Sequence, residues 1–375
     1  MTILLYMFLI LGYIYEDSDS LLVDNDSLTI CGNHVYALKI NIRNNSQLFV
    51  RNATGAPDST GWLSLHAPLI VIGDSSTIDG SEKGYKGGYL NSHPWGYGPG
   101  GGNAGGVSGG AGGGGAYGGN GGSGGDLYGG AGGAAYGDPA DTSIQMGSGG
   151  GAGRLSVVIS SGGSGGASLS MSGNLINVNS STFRVNGQNG ETGVGLEASG
   201  GGAGGGIMIW ADTVLMSDVT IEAVGGNGGD AAFGGGGGGS GGRIKILFSS
   251  QLDTSDVTYT AEGGPGGIGD PGLPSSSAGD TGTIYIGVPP GITDLTNEML
   301  NVIRVQPNPA RCMVNITTEI IPVQIRMYDI AGRLIKSFRL LNHRETADLR
   351  GLERGIYFMI AENHELKPCK IVLIN

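Results

Sequence analysis

The sequence predicts an all-β protein: a glycine-rich parallel β-helix, or solenoid, with polyglycine-like inserts, followed by a small immunoglobulin-like antiparallel β-sandwich. Three observations predict it. Short runs of β-branched and apolar residues alternate with polar ones, and glycine cuts each run before it reaches helical length. Three stretches align as repeats: "GASLSMSGNLINVNSSTFRVNGQNG" from Gly166, "GIMIWADTVLMSDVTIEAVGGNG" from Gly206 and "GRIKILFSSQLDTSDVTYTAEGGPG" from Gly242, which place Thr182, Thr220 and Thr258 38 residues apart. After Gly287 the composition becomes ordinary, with turn signals at regular spacing.

Taken in order, residues 1–17 read as a signal peptide. "ILLYMFLILGYIY" (Ile3 to Tyr15) has the length of a secretory h-region, is too short for a membrane span, and is followed by the acidic "EDSDS". Residues 18–287 form the repeat domain. A fourth copy, "GWLSLHAPLIVIGDSSTIDGSEKG" from Gly61, puts Thr77 in phase with the other threonines. Each copy holds two or three short strands, as in Ile207 and Ile209, Val214-Leu215, then Val219 and Ile221. Stacked copies pair equivalent strands in parallel ladders, where a one-residue slip turns the apolar set outward.

The inserts all fall after the third strand of a copy. "EASGGGAGGG" (Glu197 to Gly206) and "GGGGGGSGG" (Gly234 to Gly242) are two of them, and a longer one runs from about Gly84 to Gly153. Within it, "GGNAGGVSGGAGGGGAYGGNGGSGG" (101–125) has 16 glycines in 25 residues. Ordering that tract alone costs roughly 25–50 kcal/mol of backbone entropy, with few side chains to offset it. Order therefore requires neighbouring inserts that lie alongside as extended strands and exchange backbone hydrogen bonds.

"VPPGITDLTNEMLN" (288–301) reads as a linker, and residues 302–375 as a second domain. "VIRVQPNP" stops a strand at Pro307-Asn308-Pro309, "VQIRMYDIAGRLIKSF" alternates about a turn at Ala331-Gly332, and "GIYFMIAE" and "CKIVLI" close the chain as strands. These motifs resemble the C-terminal sorting domain of type IX secretion cargo in Gram-negative bacteria. The resemblance is carried by Pro307, Asn308 and Pro309, by Tyr328 to Arg333 with Asp329, Gly332 and Arg333, by Leu352 to Phe358 with Gly355 and Tyr357, and by the terminal strand from Lys370. It implies passage from the periplasm through the outer membrane by the type IX machinery, with the domain then removed and the cargo released or tethered to surface lipopolysaccharide. It places the mature protein outside the cell or on its outer surface. Cys312 and Cys369 are not part of that pattern; in an oxidising compartment they are candidates for a disulfide.

Charge narrows the partners. The net charge is −12: residues 1–79 carry 3 Lys/Arg against 8 Asp/Glu, residues 80–290 carry 6 against 15, and residues 301–375 carry 11 against 7. The acidic body lacks the basic footprint that nucleic acid requires. The five histidines are scattered and suggest no catalytic constellation. Arg243 and Lys245 share a strand face and read as an outward polar pair. "GGSGGDLY" and "GGNGGDAA" loosely fit a calcium nonapeptide and make Asp126 and Asp230 weak candidates for calcium, although true sites come in consecutive repeats. Tyr85, Tyr89, Trp95, Tyr97, Tyr117, Tyr128 and Tyr136 punctuate the long insert, either packing over glycine strands or stacking on sugars. The reading is a noncatalytic, adhesin-like structural protein without a cofactor, with surface polysaccharide as a candidate partner. The alternative is a β-helical carbohydrate-active enzyme of the lyase or hydrolase type.

Overall fold

The computed structural model describes residues 12–52, 61–89, 93–155, 158–193, 197–289, 303–306, 310–318, 321–342, 344–362 and 369–374. Among them every regular element is a β-strand. No helix there is long and apolar enough to cross a membrane, which leaves strand-built membrane structures untouched. The chain divides into two compact units, Met1–Pro290 and Gly291–Asn375.

The first unit contains β1 (Tyr13–Glu16), β2 (Ser20–Asp24), β3 (Ser27–Ile30), β4 (Gly32–Val35), β5 (Lys39–Arg43), β6 (Gln47–Val50), β7 (Trp62–His66), β8 (Leu69–Ile72), β9 (Thr77–Asp79), β10 (Gly153–Leu155), β11 (Val158–Ser160), β12 (Ser168–Arg184), β13 (Gly206–Glu222), β14 (Arg243–Thr260) and β15 (Thr283–Gly287). Apart from the antiparallel pairs β1–β2 and β10–β11, these strands stack in parallel. They form three rows because each long strand spans three short ones: β12 pairs along its length with β7, β8 and β9 in turn.

Apolar residues stack up each row. In one, Leu21, Ile40, Ile70, Ile176, Val214 and Leu252 are successive partners. In another, Leu28, Leu48, Ile78, Phe183, Ile221 and Tyr259 follow one another. In the third, Leu65, Met171, Ile209, Ile246 and Ile286 do the same. The inner members belong to one continuous core cluster. Burying each aliphatic side chain contributes about 1.5–3 kcal/mol, so the apolar alternation sets the register. Thr77, Thr182, Thr220 and Thr258 are direct ladder partners, in the phase the repeat alignment gives them.

The corner between two of the rows has its own sequence signal. Asn25, Asn45, Ser75, Ser180, Asp218 and Asp256 all have positive φ, between 41° and 62°. Asn and Asp tolerate this left-handed conformation better than other side chains with a Cβ, because their short polar groups bond locally. The corners also bond to one another: the Ser75 amide donates to the Ser180 carbonyl at 2.8 Å, and the Ser180 hydroxyl to Asp218 Oδ2 at 3.0 Å. The repeats thus begin earlier than the four aligned copies, since β4–β6 already supply all three strand phases and β2–β3 two of them.

From a different corner every insert leaves, after the third strand, and the inserts pack on one another. Segment 147–154 shows how. The amides of Gly147 and Gly150 donate to Gly166 and Gly163, those of Ser148, Gly151 and Arg154 to Ala116, Gly113 and Gly110, and those of Gly149 and Ala152 to Tyr97 and Pro94. Every third residue faces the same neighbour. This is the period of the polyproline II conformation, which has three residues per turn and no internal hydrogen bonds. The same period recurs in 197–206, where Ala198, Gly201 and Gly204 donate to Gly234, Gly237 and Ser240.

Glycine is required here by proximity. Of the described glycines between 84 and 283, only Gly98, Gly109 and Gly137 have positive φ. A Cβ on Gly114 would overlap the Gly238 carbonyl, one on Gly237 the Gly122 carbonyl, and one on Gly200 the Gly113 carbonyl. The tract 101–125 is therefore ordered by lateral bonds to several other inserts, as its composition demands.

The second unit contains β16 (Arg304–Gln306), β17 (Met313–Thr317), β18 (Val323–Asp329), β19 (Leu334–Leu340), β20 (Arg344–Asp348), β21 (Gly355–Glu362) and β22 (Cys369–Leu373). They form two antiparallel sheets, β16-β17-β20 and β19-β18-β21-β22. Val314 and Ile316 from one sheet and Ile325, Met327, Met359 and Ile371 from the other share a single core.

Candidate functional site

Most sequence-predicted site residues lie in the second unit, and those from Asp329 to Arg333 build a turn. Asp329 ends β18, and its Oδ1 accepts from the amides of Ala331 at 2.9 Å and Arg333 at 3.0 Å, while Arg333 Nε donates to Oδ2 at 2.7 Å. The Arg333 amide, followed by the guanidinium and the Ala331 amide, outweighs desolvation and holds the Asp329 carboxyl below its usual range. Gly332 has φ 77° with open space where a Cβ would stand, so the turn needs glycine for its backbone conformation.

The same device occurs a second time, and sequence reasoning missed it. Asp348 ends β20, its Oδ1 accepts from the Arg350 amide at 2.9 Å, and its carboxylate pairs with the Arg350 guanidinium at 2.7–3.0 Å. Those bonds hold the Asp348 carboxyl down at about 2. Gly351 has φ 81°. The signal was an aspartate three residues before a glycine, "DIAG" and "DLRG", each at a strand end.

Gly355 opens β21, and the buried Tyr357 donates its hydroxyl to the Glu353 carbonyl at 2.7 Å, tying the strand to the turn before it. Lys370 is exposed on β22 opposite Phe358. On β21 the alternate residues Ile356, Phe358 and Ile360 leave the core and form an exposed apolar row. Pro307, Asn308 and Pro309 lie outside the described residues, as do residues 1–11 of the expected signal peptide; Tyr13–Glu16 form the exposed strand β1.

The expected Cys312–Cys369 bridge is not formed, and both residues are free thiols. The ladder gives the reason. Ala310 pairs with Leu373 at the far end of β22 from Cys369, while the Val305 backbone faces the Cys369 thiol. The four residue steps from 369 to 373 span about 13 Å, whereas a disulfide needs Cα atoms within about 7 Å. Burial, partly offset by the Val305 bond, pushes the Cys369 thiol up.

In the first unit, Arg243 and Lys245 do point away from the core row, but they are buried. The segment 136–143 of the long insert covers them. Lys245 is 1% exposed, and its Nζ donates to the carbonyls of Asp138 (2.7 Å), Asp141 (3.0 Å) and Ser143 (2.8 Å) and to Asp141 Oδ1 (2.5 Å). Burial works to raise the Asp141 carboxyl, but the bonds from Lys245 and Ser143 and the lysine charge outweigh it and hold it low. Arg243 donates to the Tyr136 and Gly137 carbonyls at 2.8 and 3.0 Å, and its guanidinium lies 5.4 Å from the Tyr117 ring centre. Tyr117 and Tyr136 pack together at 4.9 Å; burial pushes the Tyr117 hydroxyl up to about 12. These two tyrosines are packing residues, whereas Tyr89, Trp95 and Tyr128 are exposed.

The calcium motif does not assemble. Among the described residues no three His, Cys, Asp or Glu side chains converge to hold a metal ion. Asp230 Oδ1 instead accepts from the Ile268 amide at 2.6 Å, one repeat later. Asp126 sits at a turn with φ 81°, beside Glu197.

Residues 304–375 match the family model of the secretion system C-terminal sorting domain. The chain thus carries a type IX sorting domain, which marks it for export as a secreted or surface protein through the type IX machinery. No match was found among curated proteins or among solved structures.

Proposed function

We propose that this chain, carrying a type IX sorting domain, is a noncatalytic, adhesin-like structural protein of the outer cell surface. Its body is a glycine-rich parallel β-helix and its sorting domain an immunoglobulin-like sandwich. A signal peptide delivers it to the periplasm of a Gram-negative cell, the type IX machinery moves it through the outer membrane, and the body remains bound to surface polysaccharide or lipopolysaccharide. The exposed apolar row Ile356, Phe358 and Ile360 is where the machinery docks, because contiguous exposed apolar residues beside charged turns mark an interaction face.

The observation that carries the reading is the glycine layer. In the inserts between residues 84 and 283 it packs backbone against backbone at glycines where a Cβ has no room. Such a layer supplies stiffness and an extended surface. The test compares wild-type cells with a deletion strain on polysaccharide-coated surfaces, and assays the purified protein against the same polysaccharides. Loss of adherence in the deletion strain with no polysaccharide cleavage is the expected result. Unchanged adherence together with released oligosaccharides would establish the carbohydrate-active alternative.

A further inference from the structure

A polar groove and an aromatic loop lie on either side of residues 86–88. The groove has a volume of 250 Å³ and is lined by Lys86, Ser161, Ser164, Gln188, Asn189 and Glu191, with Gly87 and Gly162. That is below the roughly 300 Å³ at which drug-sized sites begin, and it suits one sugar ring. The loop comprises residues 93–97. The Tyr97 amide donates to the Lys86 carbonyl at 2.9 Å, the Gly162 amide donates to the Gly88 carbonyl at 2.8 Å, and a Cβ on Gly88 would overlap the Pro94 carbonyl. Groove and loop are thus held together through touching backbones.

In the groove the backbone fixes the polar side chains. Gln188 Oε1 accepts from the Ser164 amide at 3.0 Å, Asn189 Oδ1 from the Asn227 amide at 2.8 Å, and Glu191 Oε2 from the Ser161 amide at 2.7 Å. Each side chain is anchored through one oxygen. The Gln188 and Asn189 amino groups and Glu191 Oε1 are left without a partner among the described residues, as is the exposed Lys86 ammonium. Sugar hydroxyls both donate and accept, so neighbouring hydroxyls on one ring match a set of amide donors beside a carboxylate acceptor. One lysine and one glutamate are the charged lining residues, and this balance favours a neutral sugar over an acidic or an amino one.

The loop presents an aromatic face. The His93 and Tyr97 rings stack with centres 3.7 Å apart, His93 Nδ1 donates to the Trp95 carbonyl at 2.7 Å, and the Trp95 ring meets His93 edge-on at 6.3 Å. Trp95 is nevertheless 54% exposed. A large ring that gains so little from burial, on a braced loop, is available to a ligand, and its negative face attracts the C–H bonds of a sugar ring.

We propose that groove and loop together bind a neutral hexose polysaccharide, with one pyranose ring hydrogen-bonded in the groove to Gln188, Asn189, Glu191 and Lys86 and another ring of the same polymer stacked on Trp95. This rests on the polysaccharide-binding reading of the body and gives it a site and a ligand class.

The experiment is affinity electrophoresis of the full chain in gels containing dextran, galactomannan or mixed-linkage β-glucan, with alginate as the acidic comparison. At least one neutral polysaccharide binds, and salt leaves its affinity unchanged. Trp95→Ala weakens that binding about tenfold, Trp95→Phe keeps most of it, and Lys86→Ala weakens it about threefold, all with the wild-type thermal midpoint. Binding of alginate alone, full affinity in the Trp95→Ala protein, or equal losses in the Trp95→Ala and Trp95→Phe proteins would overturn this site and leave the polysaccharide reading standing. Binding of none of the four polymers would also overturn the site, and the adherence of the deletion strain then decides the polysaccharide reading separately.

Discussion

Lys245 shows at the residue scale how far a local pattern reaches. Its alternation with Arg243 placed both side chains correctly on the face away from the core, but their burial depends on carbonyls about a hundred residues upstream. No local period contains that information. Lys245→Met keeps the volume and strands three carbonyls and the Asp141 carboxylate, so it should destabilise the body by about 3 kcal/mol, read as a lower thermal midpoint. Glu197 gives a pH dependence of unusual sign. Its folded-state value, about 7, lies above the ordinary 4.5, so the folded state binds the extra proton between these values. Stability is then undiminished below about pH 4.5, falls as pH rises toward 7, and has lost its full share above that, about 1–3 kcal/mol. Glu197→Gln should raise the urea midpoint at pH 8 and leave it nearly unchanged at pH 4.5. The meeting of Glu197 with Asp126 was hidden in the sequence, because the two sit on different inserts at unrelated positions of the repeat.

At the element scale, the strand rows were readable wherever glycine marked them. Aliphatic residues recurring in phase with Thr182, Thr220 and Thr258 gave the register that the ladders show. The two earlier turns of the same architecture were missed, because they connect without long glycine inserts; their left-handed corners at Asn25 and Asn45 were the available signal. For the inserts, composition gave the need for lateral hydrogen bonds but could not give the partners. Glycine leaves no side-chain pattern from which to read them. The consequence is a sharp contrast between glycines. Gly237→Ala places its methyl inside the Gly122 carbonyl and should cost about 3 kcal/mol or more, whereas Gly272→Ala meets only the end of the Asp270 side chain, at 3.2 Å, and should be within about 0.5 kcal/mol of wild type. Thermal denaturation of the two proteins separates these effects.

For the whole molecule, the two units carry different parts of the function. The motifs at the end of the chain were specific enough to identify the sorting domain, because strand-end turns and a buried tyrosine are encoded within a few residues. Removing 304–375 should leave the protein in the periplasm, as fractionation of cells would show. Phe358→Ser with Ile360→Ser, which spares the core, should reduce surface display severalfold with folding intact, read by surface labelling and circular dichroism. The body's central property is collective: each amide of the glycine layer contributes only about 1 kcal/mol, and its order depends on neighbours from other inserts. Hydrogen exchange of the full chain across residues 110–125 and 147–154 tests this most directly. Protection at consecutive amides, with all three directions of bonding occupied, is the result predicted. Exchange of both segments at the rate of an unfolded chain would contradict the account.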